Sequence, residues 1–172
     1  MQYKSLGKTG IKVSQLCFGT MSFGGDADEE TSHAMFNTCL DAGINFFDCA
    51  NVYQKGIAEE ILGRCIKGIR KDLVITSKFY FPMGDQPNER GASRKHIMHA
   101  IEDTLTRLDT DYLDLYFIHR FDEETPLEET LNTLDDLVRT GMILYPAVSN
   151  FAAWQIAKSL GISTLHDWAR FE

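Results

Sequence analysis

The sequence predicts an α/β protein built on parallel strands, and three observations predict it. Short apolar runs alternate, five times over, with segments whose apolar residues recur at i, i+3 and i+4. The connections between them are short, which suits right-handed crossovers between neighbouring strands. The run from Tyr112 to His119 is apolar almost throughout, as in a strand covered on both faces. An open doubly wound sheet and an eight-fold barrel both fit this rhythm. With 172 residues and 44% hydrophobic side chains, residues 1–172 read as a single domain with a real core.

The elements follow in order. Tyr3-Lys4-Ser5-Leu6 and Ile11-Lys12-Val13 flank the turn Gly7-Lys8-Thr9-Gly10, a hairpin pattern. Gly7-Lys8-Thr9 echoes a phosphate loop, but the earlier glycine of that motif is missing and a hairpin is the wrong context. A short buried strand over Gln15–Thr20 precedes the loop Ser22-Phe23-Gly24-Gly25. A helix from Asp28 to Asp41 is signalled by acidic residues in its first turn, an apolar stripe and Gly43 past its end. The strand Ile44 to Asp48 comes next, then the helical pattern Gly56 to Ile69 with Ala58, Ile61, Leu62, Cys65 and Ile66 on one stripe.

Leu73 to Lys78 is a buried strand ending in a charge. The loop Phe79 to Gly91 leads to a helix capped by Ser93. After the strand ending at His119, Thr125-Pro126-Leu127-Glu128 reads as a capping box with proline at the first helical position, and Gly141 ends that helix. Met142 to Val148 is the fifth strand and Phe151 to Leu160 the fifth helix.

Composition narrows the function. There are 25 carboxylates against 17 Lys and Arg, a formal charge of −8, and no long basic cluster. Nucleic acid and anionic membrane surfaces are disfavoured as partners. No apolar run is long enough to span a bilayer and no leader is recognised at Met1-Gln2-Tyr3-Lys4, so a cytoplasmic location is expected. Cys17, Cys39, Cys49 and Cys65 are widely spaced and read as reduced, buried thiols. His96 and His99 lack a third ligand and read as an exposed helix face, so no metal site is expected.

The informative residues are polar groups at strand ends. Period-2 alternation puts Asp48 with Phe46, Lys78 with Thr76 and Val74, and His119 with Phe117, Leu115 and Leu113 on one face. Individually each has a plain explanation: Asp48, Asn51 or the Gln54-Lys55-Gly56 turn starting the next helix, Lys78 reaching for solvent, His119 a satisfied core residue, Tyr53 a packed aromatic. Together, on successive strand ends of a parallel protein, they mark a site. A tyrosine is a poor proton donor at neutral pH unless a nearby ammonium favours its phenolate. Lys78 fits that role, Asp48 would hold the lysine, and His119 would orient a substrate oxygen. Such a set suits reduction of a carbonyl, with hydride supplied by a bound cofactor.

These motifs resemble the aldo-keto reductases. Tyr3 to Gly10 is similar to the family's N-terminal hairpin, Gly43-Ile44-Asn45-Phe46-Phe47-Asp48 with Tyr53 and Gly56 to Gly63 to its first signature, and Gly141 to Phe151 to a later one. The resemblance implies a TIM (β/α)8 barrel with an N-terminal β-hairpin, of which about the first five β/α units are present. It implies NADPH-dependent reduction of an aldehyde or ketone, with Tyr53 as proton donor, Lys78 lowering its pKa, Asp48 paired with Lys78, and His119 orienting the carbonyl. Cofactor contacts carried over by motif are Gly19, Thr20, Met21, Asp48, Ser149 and Asn150. Phe23, Phe79, Tyr80 and Arg120, with Met21, are expected on the substrate mouth, whose aromatics suit a bulky or aryl aldehyde.

Two departures stand out. Pro146 lies where a central strand needs a donor, which puts local pairing in question. A barrel of this family also needs about 250 residues. The chain is therefore expected to be a C-terminally incomplete reductase with only part of the cofactor site, open to self-association through exposed barrel edges. The competing readings are an inactive partial barrel and a binding module like the potassium-channel β subunits, which resemble reductases.

Overall fold

Two separate apolar clusters show how the sheet uses its two faces. The computed structural model describes all residues, Met1–Glu172. The hairpin strands β1 (Tyr3–Ser5) and β2 (Lys12–Ser14) pair antiparallel, with Tyr3 opposite Ser14. Five further strands form one parallel sheet in chain order: β3 (Phe18–Gly19), β4 (Phe46–Asp48), β5 (Val74–Phe79), β6 (Leu113–Ile118) and β7 (Ile143–Val148). Each strand is followed by a helix: α1 (Glu29–Asp41), α2 (Ile57–Ile66), α3 (Arg94–Leu108), α4 (Leu127–Thr140) and α5 (Ala153–His166). This is the expected order of five β/α units behind a hairpin.

Side chains alternate across the sheet as a strand demands. Phe47, Ile75, Phe79, Tyr116 and Ile118 point outward into a large cluster with Phe36, Leu62, Ile97, Ile101 and Leu134 of the helices. Val74, Leu115 and Ala147 point inward and gather with Val13, while Phe46, Phe117 and Tyr145 pack against them. The hairpin therefore closes the lower end of the concave face, with Leu6 and Ile11 beside Val13. Leu113, expected inward, lies instead in the outer cluster with Ile143, its partner in register. The two-residue alternation holds from Leu115 onward.

Several local expectations are corrected. Thr125 and Glu128 form no capping box: the Thr125 hydroxyl donates to Asp122 at 2.8 Å, and Pro126 takes the cap position without a side-chain bond. The fifth helix does not stop before Gly161 but runs to His166, ending at Asp167 with φ 55°. One interior glycine costs a helix only about 1 kcal/mol, too little to end it here. Pro146 does not interrupt pairing; it stands opposite Tyr116 in a continuous register, on a strand with only one neighbour. The strand expected buried over Gln15–Thr20 is only Phe18–Gly19, with Leu16 and Cys17 exposed before it, and His96 is buried rather than on an exposed face. No helix is long and apolar enough to cross a membrane.

Candidate active site

The carboxyl ends of the strands supply the site, and the backbone ladder extends past each strand to fix the residues that follow it. Thr20 N–H donates to the Asp48 carbonyl, Cys49 N–H to Thr76, Asn51 N–H to Lys78, His119 N–H to Phe79 and Ser149 N–H to Ile118, all at 2.9–3.1 Å. The main chain at and just beyond the ends of β3 to β7 is thus attached to the neighbouring strand, whereas the Tyr53 N–H bonds locally to the Ala50 carbonyl.

Asp48 is the last residue of β4 and Lys78 the penultimate residue of β5. Lys78 Nζ donates to Asp48 Oδ2 at 2.5 Å and to the Cys49 carbonyl at 2.7 Å. The other carboxylate oxygen, Oδ1, accepts from Thr76 Oγ1 at 2.7 Å. The lysine side chain is 8% exposed, so it does not reach for solvent. Its third direction leads to Tyr53 Oη at 3.4 Å.

Tyr53 is brought there by an irregular turn rather than by a strand. Gln54, Lys55 and Gly56 take φ of 48°, 54° and 97° in succession, and two of them carry side chains. Left-handed backbone at a non-glycine residue costs on the order of 1–2 kcal/mol, so surrounding packing must hold this turn. Part of that packing is the loop Ser22–Gly25: a Cβ at Gly25 would lie 2.4 Å from Gln54 Nε2, and one at Gly24 2.3 Å from Ile57 Cγ2. Neither Asp48 nor Asn51 caps α2, whose cap position is Gly56 with no side-chain bond.

His119 follows β6 directly. Its ring stands edge-on to Tyr53, centroids 6.1 Å apart, and to Phe81 at 4.9 Å. Nδ1 is buried without a partner, which leaves Nε2 as the accessible nitrogen. Burial first, and the Lys78 ammonium second, push its pKa down to about 4, with Asp48 opposing. The imidazole is neutral at pH 7 and able to donate through Nε2. A folded-state pKa below the ordinary imidazole value of 6.5 means that the unfolded chain binds the extra proton first. Stability is therefore expected to fall as pH drops from 6.5 toward 4, and His119→Gln to flatten that acid limb, as read by melting temperature against pH.

Ser149 and Asn150 follow β7. Asn150, at φ 58°, turns its amide back so that Nδ2 donates to the His119 carbonyl at 2.8 Å and to Ser149 Oγ at 3.1 Å. Gly19 ends β3 with open space where a Cβ would stand, Thr20 is buried with its hydroxyl on the Asp48 carbonyl at 3.0 Å, and Met21 is 66% exposed. Tyr80 and Arg120 line an open cleft of about 1220 Å³ beside His119, together with Phe81, Arg90 and Phe121.

Phe23 and Phe79 are corrections. Both are fully buried, Phe23 against Phe18 and Phe79 against Tyr116, so neither ring faces a substrate space. Phe79 follows Lys78 in a regular strand and must point to the opposite face. Sequence reasoning missed Phe81, whose ring packs against His119 at the cleft, and the role of Thr76 on Asp48. Cys49, buried and pushed up to about 12 chiefly by burial, is no nucleophile. No cluster of ligating side chains that would hold a metal ion occurs.

A sequence model of the Aldo/keto reductase family matches residues 15–171. The chain belongs to the aldo/keto reductase family. The five parallel strands with outer helices are accordingly part of the family's TIM-barrel fold. Similar proteins include two described as probable voltage-gated potassium channel subunit beta. One, from Oryza sativa subsp. japonica, is 40% identical over 97% of this chain and 52% of its own length. The other, from Arabidopsis thaliana, is 42% identical over 94% of this chain and 50% of its own length. An uncharacterized oxidoreductase, YrpG, from Bacillus subtilis (strain 168) is 41% identical over 92% of this chain and 52% of its own length. The chain spans about half the length of the curated relatives it matches.

Proposed function

We propose that the site reduces an aldehyde or ketone to an alcohol with NADPH, Tyr53 giving the proton. The observation that carries this reading is the contact chain Asp48–Lys78–Tyr53, with the neutral His119 beside the phenol. The residues present fit the nicotinamide end of the cofactor. Asn150 spends its Nδ2 hydrogens on the chain and keeps its Oδ1 free, and Ser149 adds a hydroxyl next to it. When bound, NADPH supplies hydride to the carbonyl carbon.

The protein's own part is positioning and proton transfer. His119 Nε2 donates to the substrate oxygen and holds it near Tyr53 Oη. Charge growing on that oxygen draws the phenolic proton, and the Lys78 ammonium stabilises the phenolate left behind. Asp48 and the Cys49 carbonyl keep the ammonium in place, while Thr76 keeps Asp48 in place. The adjoining cleft is mostly polar and charged, with Arg90, Arg120 and Asp122 on it, and its aromatics Tyr80, Phe81 and Phe121 are what a bulky or aryl aldehyde would pack against.

Calorimetric titration of the chain with NADPH, followed by turnover of an aryl aldehyde, tests the reading. Saturable binding that weakens in Asn150→Ala is expected. A folded sample that takes up no NADPH would remove the enzymatic reading for this chain. A second reading, a channel-binding module, is favoured by the descriptions of the two plant relatives. NADPH binding without turnover, together with co-purification of a membrane channel, would select it.

A further inference from the structure

Behind the site, on the helix side of the sheet, lies a charged cluster that the chemistry above does not use. Glu59 of α2 is completely buried, and its carboxylate is shared between two elements. Ser77 Oγ of β5 donates to Oε1 at 2.5 Å, and Arg107 Nε of α3 donates to Oε2 at 2.6 Å. Arg107 is itself 19% exposed and also reaches Thr104 Oγ1 at 3.5 Å. Its stem lies on Gly56, where a Cβ would come within 2.7 Å of Arg107 Cδ. The two helices meet just as closely at Gly63, where a Cβ would stand 2.7 Å from the Arg107 carbonyl oxygen.

Each end of this cluster adjoins one half of the proton-transfer pair. Ser77 is the residue before Lys78 on β5. Gly56 is the last residue of the left-handed turn that begins at Tyr53. Main-chain bonding to β5 ends at Asn51, whose N–H reaches the Lys78 carbonyl; beyond it the turn departs from both strand and helix geometry and has no ladder to hold it to β5. A buried charge pair is a poor source of net stability compared with apolar packing, so its value here is better sought in geometry.

We propose that Glu59 and Arg107 are positioning residues that set the separation between Tyr53 Oη and Lys78 Nζ, by tying the Tyr53 turn and α2 to β5. The proposal rests on the reading of Tyr53 as proton donor for its meaning, but its geometry is testable without turnover. Arg107 seals the outside of the Gly56 bend, Glu59 holds α2 to Ser77, and Lys78 is carried on the next residue. Loosening any of the three lets the turn drift from the ammonium.

The test uses the full chain labelled at tyrosine Cζ with carbon-13, whose resonance reports the charge beside each phenol. Ser77→Ala removes one bond and keeps the ion pair, so it folds even if Arg107→Met does not. In both variants the Tyr53 resonance is expected to move toward that of exposed Tyr3 while Tyr145, on β7, stays still. If the wild-type chain turns over a carbonyl, kcat should fall on the order of tenfold with little change in KM, as a small misplacement of reacting groups demands. A lower melting temperature with an unmoved Tyr53 resonance would overturn the proposal and reduce the cluster to a structural staple. A wild-type chain without turnover would refute the enzymatic reading and leave the resonance test standing.

Discussion

Tyr53→Phe is expected to lower the proposed carbonyl turnover by about 10²- to 10⁴-fold, the range that a positioned proton donor contributes. The phenyl ring keeps what Tyr53 does for the fold: its packing on the main core and its edge contact with His119. Only the oxygen 3.4 Å from Lys78 is lost. NADPH affinity and melting temperature should therefore stay near the parent values, and steady-state kinetics carry the whole effect. A variant retaining kcat within about tenfold would show that the proton comes from elsewhere, with water held by His119 as the next candidate.

The second large effect is on stability. Asp48→Ala leaves the Lys78 ammonium buried with the Cys49 carbonyl as its one strong partner. An uncompensated buried charge costs about 3–5 kcal/mol, and the lower end applies because the Asp48 side chain is 28% exposed and its loss admits water. Lys78→Met is expected to cost less. It fills the space with an apolar chain, and Asp48 keeps the Thr76 hydroxyl and its own access to solvent. Urea unfolding of the two variants decides this, as a difference in midpoint at equal slope. A larger loss in Lys78→Met would mean that the carboxylate, not the ammonium, is the group most dependent on its partner.

What the sequence made legible depends on how locally each feature is encoded. A polar residue ending an apolar run is a local signal, and it located Asp48, Lys78 and His119 without any knowledge of packing. Alternation then sorted Phe46, Val74, Thr76, Leu115 and Phe117 onto the inner face, where they lie. The same rule already assigned Phe79 to the outer face; expecting it on the substrate mouth ignored its neighbour Lys78. Phe23 carried no such rule. Its burial follows from the close approach allowed by Gly24 and Gly25 to Gln54 and Ile57, contacts between segments about thirty residues apart. Glu59, Ser77 and Arg107 were illegible for the same reason. Each looks ordinary in its own element, and only the fold brings the carboxylate to the hydroxyl and the guanidinium. Thr125 shows the converse: a correct local motif loses to a better partner, Asp122, nearby.

The floor beneath the concave face also determines the order in which the domain is able to assemble. Each β/α unit pairs with its immediate predecessor, so the sheet is able to grow in step with synthesis. The inner cluster is different, because Val13 of the hairpin shares it with Val74, Leu115 and Ala147. Those partners lie far along the chain, and closing so long a loop carries an entropic cost that only the completed contact offsets. The hairpin is made first and fastened in stages: Gly43 and Asn45 hold it by hydrogen bonds, and Val74, Leu115 and Ala147 then cover Val13 in turn. Until β5, β6 and β7 have all joined, Val13 is only partly covered, and the growing polypeptide keeps an apolar patch open to misassociation at its oldest end.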